Sequence, residues 1–139
     1  MQPPHNPEAL VSQPAFPGLG RIAQIAVNAR DLDRATAFYR DRLGLPFLFQ
    51  VPGMAFFRCG DLTLMLGLPS EPEFDHPASI LYFDVADIDA AHGALAERGV
   101  TFRSKPHVAH REGKREMWLA FFQDTEGNTL ALMSWTQSG

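Results

Sequence analysis

The chain has 139 residues, of which 45% are hydrophobic and 20% charged, a composition that is typical of a globular domain and excludes an intrinsically disordered chain. Sixteen acidic residues against twelve Lys and Arg give a net charge of −4, and no basic stripe of the kind that binds nucleic acid is present. Cys59 is the single cysteine, so neither an internal disulfide nor a cysteine-based zinc site can form.

The first half of the sequence predicts one strand, one helix and three further strands. Residues 1–18 are rich in proline and lack apolar periodicity, which predicts a flexible or extended tail. The segment IAQIAVNA then alternates with period two, as a half-buried strand does. Asp31 follows as a helix N-cap, and apolar residues at helical spacing continue to Leu43 before Gly44 ends the helix. The three strands are predicted over Pro46–Val51, Met54–Cys59 and Leu62–Leu68.

After a proline-rich loop, residues 69–78, the same order of elements returns. The strand Ile80–Ala86 precedes a helix that is capped by Asp87 and ended by Gly99. Asp31 and Asp87 start helices in the same context, which indicates an internal repeat of two β-α-β-β-β halves. Because a four-stranded half would expose one sheet face alone, the halves must share a core or a cavity. The remaining strands are predicted over Val100–Phe102, His107–His110, Arg115–Gln123 and Thr129–Trp135.

Two motifs resemble one known superfamily. The segment DLDRATAFYRDRLGL after the first strand and the turn Asp124–Asn128 within QDTEGNTLALMS are similar to those of the glyoxalase / bleomycin-resistance / dioxygenase (vicinal oxygen chelate) superfamily. The resemblance covers about residues 19–135. It implies an α+β fold with two paired βαβββ modules, residues 19–68 and 79–136, that form an incomplete β-barrel around a cavity. It also implies a homodimer, which is common in the superfamily.

Metal-dependent members of that superfamily place four ligands on the cavity face, two in each half, drawn from His, Glu and Gln. Carried over, these positions fall on Gln24, Met65, Ile80 and Ala131, with Thr63 in place of Met65 if the register slips by two. Only Gln24 offers a suitable oxygen, whereas a catalytic divalent ion needs three or more protein ligands of suitable hardness. We therefore expect no metal and no other cofactor.

The alternation of each strand separates an aliphatic face from a face of small, polar and polarizable side chains. The mixed faces carry Gln24, Met65 and Tyr82 and hardly any Lys, Arg or Glu, so solvent exposure is not expected for them. We interpret them as the lining of a ligand cavity, in which Gln24 and Tyr82 orient polar groups and Met65 supplies apolar wall. A plain packed core is the alternative.

A two-residue turn at Glu112–Gly113 would bring His107, Glu116, Trp118 and Phe122 onto one cavity wall. His107 and Glu116 would then be diagonal neighbours with Cα atoms roughly 7 Å apart, a pair suited to general acid/base catalysis. Trp118 could stack on a planar ligand, and Phe122 would extend that surface. A cross-strand ion pair with Trp118 in the core remains equally open, and a loop one residue longer would shift the pairing.

These observations favour a protein that binds a small, partly aromatic organic molecule without a metal. It would act by sequestration, as in the bleomycin-resistance branch, or as a metal-independent acid/base enzyme, so its status as an enzyme stays open. The alternatives are a metal-dependent glyoxalase-like lyase, isomerase or dioxygenase with a displaced divalent-metal site, and a dimeric interaction module with a filled core. Since no apolar run approaches about 18 residues and no secretory signal is evident, we expect a cytoplasmic protein with no membrane or nucleic-acid partner.

Overall fold

The computed structural model describes residues 16–137, so the predicted tail, residues 1–18, lies almost wholly outside the described residues. Two four-stranded sheets form the framework, with strand orders β1-β4-β3-β2 and β5-β8-β7-β6. In each sheet, the strand that comes first in the chain pairs in parallel with the strand that comes last in the chain (β1 with β4, and β5 with β8). The other pairs are antiparallel. The predicted α+β fold of two similar modules is therefore confirmed. The strands are β1 (Gln24–Asn28), β2 (Phe47–Val51), β3 (Met54–Cys59), β4 (Leu62–Gly67), β5 (Leu81–Asp84), β6 (His107–Glu112), β7 (Arg115–Gln123) and β8 (Thr129–Gln137).

Each module contributes one principal helix, and both helices begin as predicted. Helix α1 (Leu32–Ala37) runs on into a π-helical turn (Phe38–Arg42), and α2 (Ile88–Glu97) belongs to the second module. Asp31 accepts a hydrogen bond from the Arg34 N–H at 3.1 Å, and Asp87 accepts one from Ala90 at 3.0 Å. The two caps share nearly the same extended backbone, with φ and ψ of −129° and 103° at Asp31 and of −128° and 100° at Asp87. The repeat thus extends to the capping geometry.

One hydrophobic core lies between the helices and one face of each sheet, and it joins the two modules. Tyr39 of the π-helical turn, Phe57 of β3 and Phe122 of β7 belong to this single cluster and are almost completely buried. The shared core is why neither module is expected to fold alone. Within residues 16–137, no helix is long and apolar enough to cross a membrane.

Candidate functional site

Each sheet has a face that packs against helices and a face that does not. In the first sheet, Val27 and Leu66 lie on the helix-covered face and are buried in the core. On the opposite face, Met65 of β4 lies directly beside Ala26 of β1 and Phe56 of β3. We refer to this surface as the open face of the first sheet. It is the mixed face that the sequence assigns to a cavity.

The second sheet likewise has one face that packs against a helix and one face that does not. Phe83 and Leu132 face α2. Tyr82, Ala131 and Phe121 are neighbours on the other face, where Ala131 pairs with each of the other two. We call this side the open face of the second sheet. Tyr82 is 47% exposed there, and its ring meets that of Phe121 at a centroid distance of 6.1 Å. An aromatic surface is therefore available on this sheet.

A pocket of about 390 Å³ lies on the open face of the first sheet. Strands β1 and β4 contribute Ala26 and Met65, and the first residue of β3 contributes Met54. The loop that follows β4 contributes Phe74 and His76. We call this cavity the first-sheet pocket. Its size is within the range of small-molecule sites, and methionine gives it an adaptable wall.

The loop that borders the first-sheet pocket is fixed to the sheet by hydrogen bonds at two points. Asn28, the last residue of β1, donates its side-chain N–H groups to the carbonyl oxygens of Phe74 at 2.7 Å and His76 at 2.9 Å. The Leu68 N–H donates to the Gly53 carbonyl at 3.0 Å. These contacts hold the loop against both the strand and the β2–β3 turn, so the pocket has a defined border.

Gln24 and Met65 are neighbours on the open face of the first sheet. The Gln24 side-chain nitrogen lies 3.9 Å from the Met65 sulfur, a distance that allows a weak N–H···S hydrogen bond. Gly67 leaves space for the end of the Met65 side chain, because a Cβ atom at this position would lie 3.3 Å from the Met65 Cε. Both residues lie on the face that the sequence assigned to a cavity, but only Met65 lines the first-sheet pocket, and Gln24 is exposed to solvent.

The pairing of β6 with β7 differs from the prediction at two places. The turn lies at Gly113–Lys114, one residue later than expected, and the register shifts between Val108 and His110. A turn position and a bulge of this kind each change which side chains share a face. Neither feature can be predicted from the hydrophobic pattern of β6, because nearly all of its residues are exposed and apolar alternation does not mark one face.

As a consequence, His107 and Glu116 do not lie on one wall. His107 pairs with Leu119, whereas Glu116 pairs with Arg111 and accepts a hydrogen bond from its guanidinium at 2.9 Å. Since Leu119 and Glu116 are an odd number of residues apart on β7, their side chains point to opposite faces. The predicted contact between His107 and Glu116 is wrong, and these two side chains cannot act together on one ligand.

Trp118 and Phe122 lie on the helix-covered face of the second sheet, which corrects the predicted wall. Phe122 is 2% exposed and belongs to the core. Trp118 packs against the same core and donates its indole N–H to the Thr136 hydroxyl at 3.1 Å. The indole on the open face is that of Trp135 instead, which pairs with Met117.

The donors at the four positions of the family's metal ligands do not fit a divalent ion. Gln24 offers an amide and Met65 a thioether, and Ala131 is a buried methyl group. Ile80 lies just before β5. Transition-metal ions are held mainly by imidazole, carboxylate or thiolate ligands, and hard ions such as Mg²⁺ by several oxygen ligands. Throughout residues 16–137, no three His, Cys, Asp or Glu side chains come together as a group that could hold a metal ion.

The late Asp124–Asn128 turn has a structural role that links the modules. Asp124 is 7% exposed. Its carboxylate accepts a hydrogen bond from the Tyr39 hydroxyl at 2.7 Å. It also accepts bonds of 2.8 Å from the N–H of Glu126 and from both the N–H and the side-chain amide of Asn128. Burial, followed by the nearby Asp124 charge, raises the pKa of the Tyr39 phenol, so Tyr39 stays a proton donor.

Glu126 in the same turn makes a second link, to the start of α1. Its side chain is 1% exposed and its Oε2 accepts from the Arg34 guanidinium at 2.8 Å. Its Oε1 accepts from the N–H groups of Arg30 and Asp31 at 2.7 and 2.9 Å. Burial raises the pKa of this carboxyl, but the bonds from Arg34, Asp31, Thr125 and Arg30 outweigh burial and lower the pKa to about 2.

Sequence reasoning missed the contribution of the loop to the first-sheet pocket. The sequence pattern places Asn28 only within the first strand, and residues 69–78 only in a proline-rich loop between the two halves. The available signal was Phe74, a large aromatic residue within an otherwise polar, proline-rich segment. In the structure Phe74 is 47% exposed and borders the first-sheet pocket.

Comparisons with known proteins agree with this architecture. "Uncharacterized protein YurT" of Bacillus subtilis is 31% identical to this chain, and the match covers 81% of this chain and 98% of the relative. A solved member of the Glyoxalase/bleomycin resistance protein/dioxygenase superfamily from Sphaerobacter thermophilus has a TM-score of 0.67 at 26% identity, covering 84% of this chain and 98% of that one. TnmS3, an antibiotic binding protein from Streptomyces sp. CB03234, shares the fold with a TM-score of 0.68 at 23% identity, covering 87% of this chain and 100% of that one.

The match to a family extends over both modules. A sequence model of the Glyoxalase/Bleomycin resistance protein/Dioxygenase superfamily matches residues 21–132, a range that begins just before β1 and ends within β8. The β1-β4-β3-β2 order repeated in the second sheet and the two matching helix caps support the same assignment. The chain therefore belongs to the Glyoxalase/Bleomycin resistance protein/Dioxygenase superfamily.

Proposed function

We propose that this protein binds a small, partly aromatic organic molecule on its open faces without a resident divalent metal. The observation that carries this proposal is the first-sheet pocket, which is lined by Met65. Met65 stands where the resemblance places a metal ligand in metal-dependent members of the family. An amide and a thioether, Gln24 and Met65, hold these positions and suit contact with an organic molecule better than with an ion. On the second sheet, Tyr82 provides a phenol and a ring.

Binding is better supported than acid/base catalysis. The proposed catalytic pair of His107 and Glu116 is divided between the two faces of the second sheet, and the Glu116 carboxylate is engaged by Arg111. A sequestering role has a parallel in the fold neighbour TnmS3, which is described as an antibiotic binding protein. At 23% identity that likeness extends to the fold and supports no particular ligand.

The test is metal content measured together with ligand binding. Elemental mass spectrometry of protein grown with Zn, Ni, Fe and Mn present is expected to give well below one ion per chain, and added metal should leave the melting temperature unchanged. A screen of uncharged aromatic compounds is expected to raise the melting temperature, because a ligand that binds only the folded state stabilises it. About one tightly bound ion per chain would instead favour a metal-dependent lyase, isomerase or oxygenase.

We further propose that a second copy of the chain covers the open faces. Phe49 and Val51 on the first sheet and Tyr82 on the second are 50%, 37% and 47% exposed, and apolar side chains exposed on a sheet face are what an interface between copies would bury. Burying one open face of each copy against the other would enclose a cavity between them. The expected mass in sedimentation equilibrium is twice the chain mass of 15.4 kDa.

A charge on an open face should weaken this dimer. Tyr82→Glu is expected to raise the dimer dissociation constant at least about tenfold, since it would bury an unpaired carboxylate. Ala96→Glu adds the same charge at an exposed position on α2 and should leave the constant unchanged. Equal effects of the two variants, or a wild-type protein that sediments as a monomer, would count against the open faces as the interface.

A further inference from the structure

Part of the hydrogen-bonding capacity around the first-sheet pocket is used within the protein itself. The Asn28 side-chain nitrogen uses its two hydrogens on the carbonyl oxygens of Phe74 and His76. The Nδ1 atom of His76 lies 3.0 Å from the Pro77 carbonyl. The Asn28 N–H groups and this His76 nitrogen are therefore not free for a ligand, and the one other polar side chain among the described lining residues is the uncharged hydroxyl of Ser70.

The described lining of the pocket also lacks acidic residues, lysine and arginine. None of the described residues that line it is Asp, Glu, Lys or Arg. A charged ligand would lose part of its hydration without gaining an opposite charge, which is unfavourable. Charge complementarity therefore disfavours carboxylates, phosphates and amines as the group that enters this cavity.

The remaining lining favours a flat, polarizable ligand. Met54 and Met65 offer thioethers, and Phe74 offers a ring, along one continuous pocket. Sulfur–aromatic and ring–ring contacts stabilise aromatic molecules, and the flexible methionine side chains can adapt to different outlines. Gly67 contributes to this shape, because it leaves open the space that the end of Met65 uses.

We propose that the first-sheet pocket takes an uncharged, apolar aromatic molecule, held between Met54, Met65 and Phe74, with the loop after β4 as its wall. This inference rests on the proposed function and narrows it to one ligand class. Asn28 is a positioning residue in this site, since its two bonds hold the backbone at Phe74 and His76. The polar end of a partly aromatic ligand would remain outside this pocket.

Two dyes of similar aromatic character test the ligand class. Nile red is uncharged, whereas 1-anilinonaphthalene-8-sulfonate carries a sulfonate. Fluorescence titration of the full chain is expected to show saturable binding of Nile red, and at least about tenfold weaker binding of the sulfonate dye. Met65→Lys should weaken Nile red at least about tenfold and strengthen the sulfonate dye. Met65→Leu, which keeps the wall uncharged, should retain Nile red.

Leu19→Lys is the matched control for dye that binds exposed apolar surface in general. Leu19 precedes β1, is 93% exposed and does not line the pocket. The Leu19→Lys variant should leave Nile red affinity within about twofold, in protein whose oligomeric mass is measured alongside. Equal loss in Leu19→Lys and Met65→Lys would overturn the assignment to the pocket.

Asn28→Ala tests the role of the loop independently of charge. Loss of both bonds should free the loop, so that Nile red affinity falls while hydrogen exchange increases over residues 70–76 but not over β7. Tighter binding of the sulfonate dye than of Nile red, with sensitivity to Met65→Lys, would overturn the ligand class and leave the proposed binding function intact. Absence of binding by both dyes, together with no hit in the thermal-shift screen, would reject the proposed function itself.

Discussion

Replacement of Asp124 by alanine is expected to lower the free energy of unfolding by about 3–4 kcal/mol, as measured by urea denaturation at pH 7. The change removes the acceptor of four hydrogen bonds within a residue that is 7% exposed. It leaves the Tyr39 hydroxyl, which belongs to a fully buried side chain, without its partner. For a domain whose stability is about 5–15 kcal/mol, this loss is a large fraction of the total.

Two further variants separate the Asp124 network from a general effect of losing an aspartate. Tyr39→Phe removes one of the four bonds and should cost about 1–2 kcal/mol. Because both changes remove the same contact, the double variant should cost less than the sum of the two. Asp89→Ala, at an exposed position in the first turn of α2, should cost less than about 1 kcal/mol. A cost below about 1 kcal/mol for Asp124→Ala would show that the turn does not hold the modules together.

The local features of this fold could be predicted from the sequence because they depend on nearby residues. The caps at Asp31 and Asp87 depend on a side chain and an N–H group three residues later. The repeat of these caps indicates two modules, and alternation within each strand separates the open face from the helix-covered face. That is why Gln24, Met65 and Tyr82 lie on the faces that were predicted.

The features that could not be predicted depend on pairs of residues far apart in sequence, or on a single-residue shift. The bulge near Ala109 and the turn at Gly113–Lys114 separate His107 from Glu116. Trp118 packs against the core because the helices cover the side of β7 that carries Trp118 and Phe122, and β7 is apolar on both sides, so its pattern does not identify that side. The bond from Tyr39 to Asp124 spans 85 residues. The bond from Asn28 to Phe74 spans 46 residues and has no local signature.

The second prediction with a large effect is a pH-dependent contribution of Glu126 to stability. The ordinary pKa of its carboxyl, 4.5, falls to about 2 in the folded chain. Above pH 4.5 the Glu126 carboxyl is ionised in both the folded and the unfolded chain, so its contribution to the free energy of unfolding is fully present. Between pH 4.5 and about 2 the unfolded chain takes up a proton that the folded chain does not, and this contribution is lost. Since Arg34 is half exposed, we expect about 1–3 kcal/mol rather than the full value of the shift.

Comparison of the wild-type protein with Glu126→Gln measures this contribution. The difference in unfolding free energy should be about 1–3 kcal/mol at pH 7 and should shrink steadily as the pH falls below 4.5. Asp41→Asn is the matched control, because the pKa of Asp41 is also lowered, chiefly by its hydrogen bond from Arg40, but both partners are exposed. Its variant should therefore show no resolvable difference at any pH. A Glu126→Gln difference that stays constant from pH 7 to pH 3 would mean that the bonds to the start of α1, rather than the charge, account for the effect.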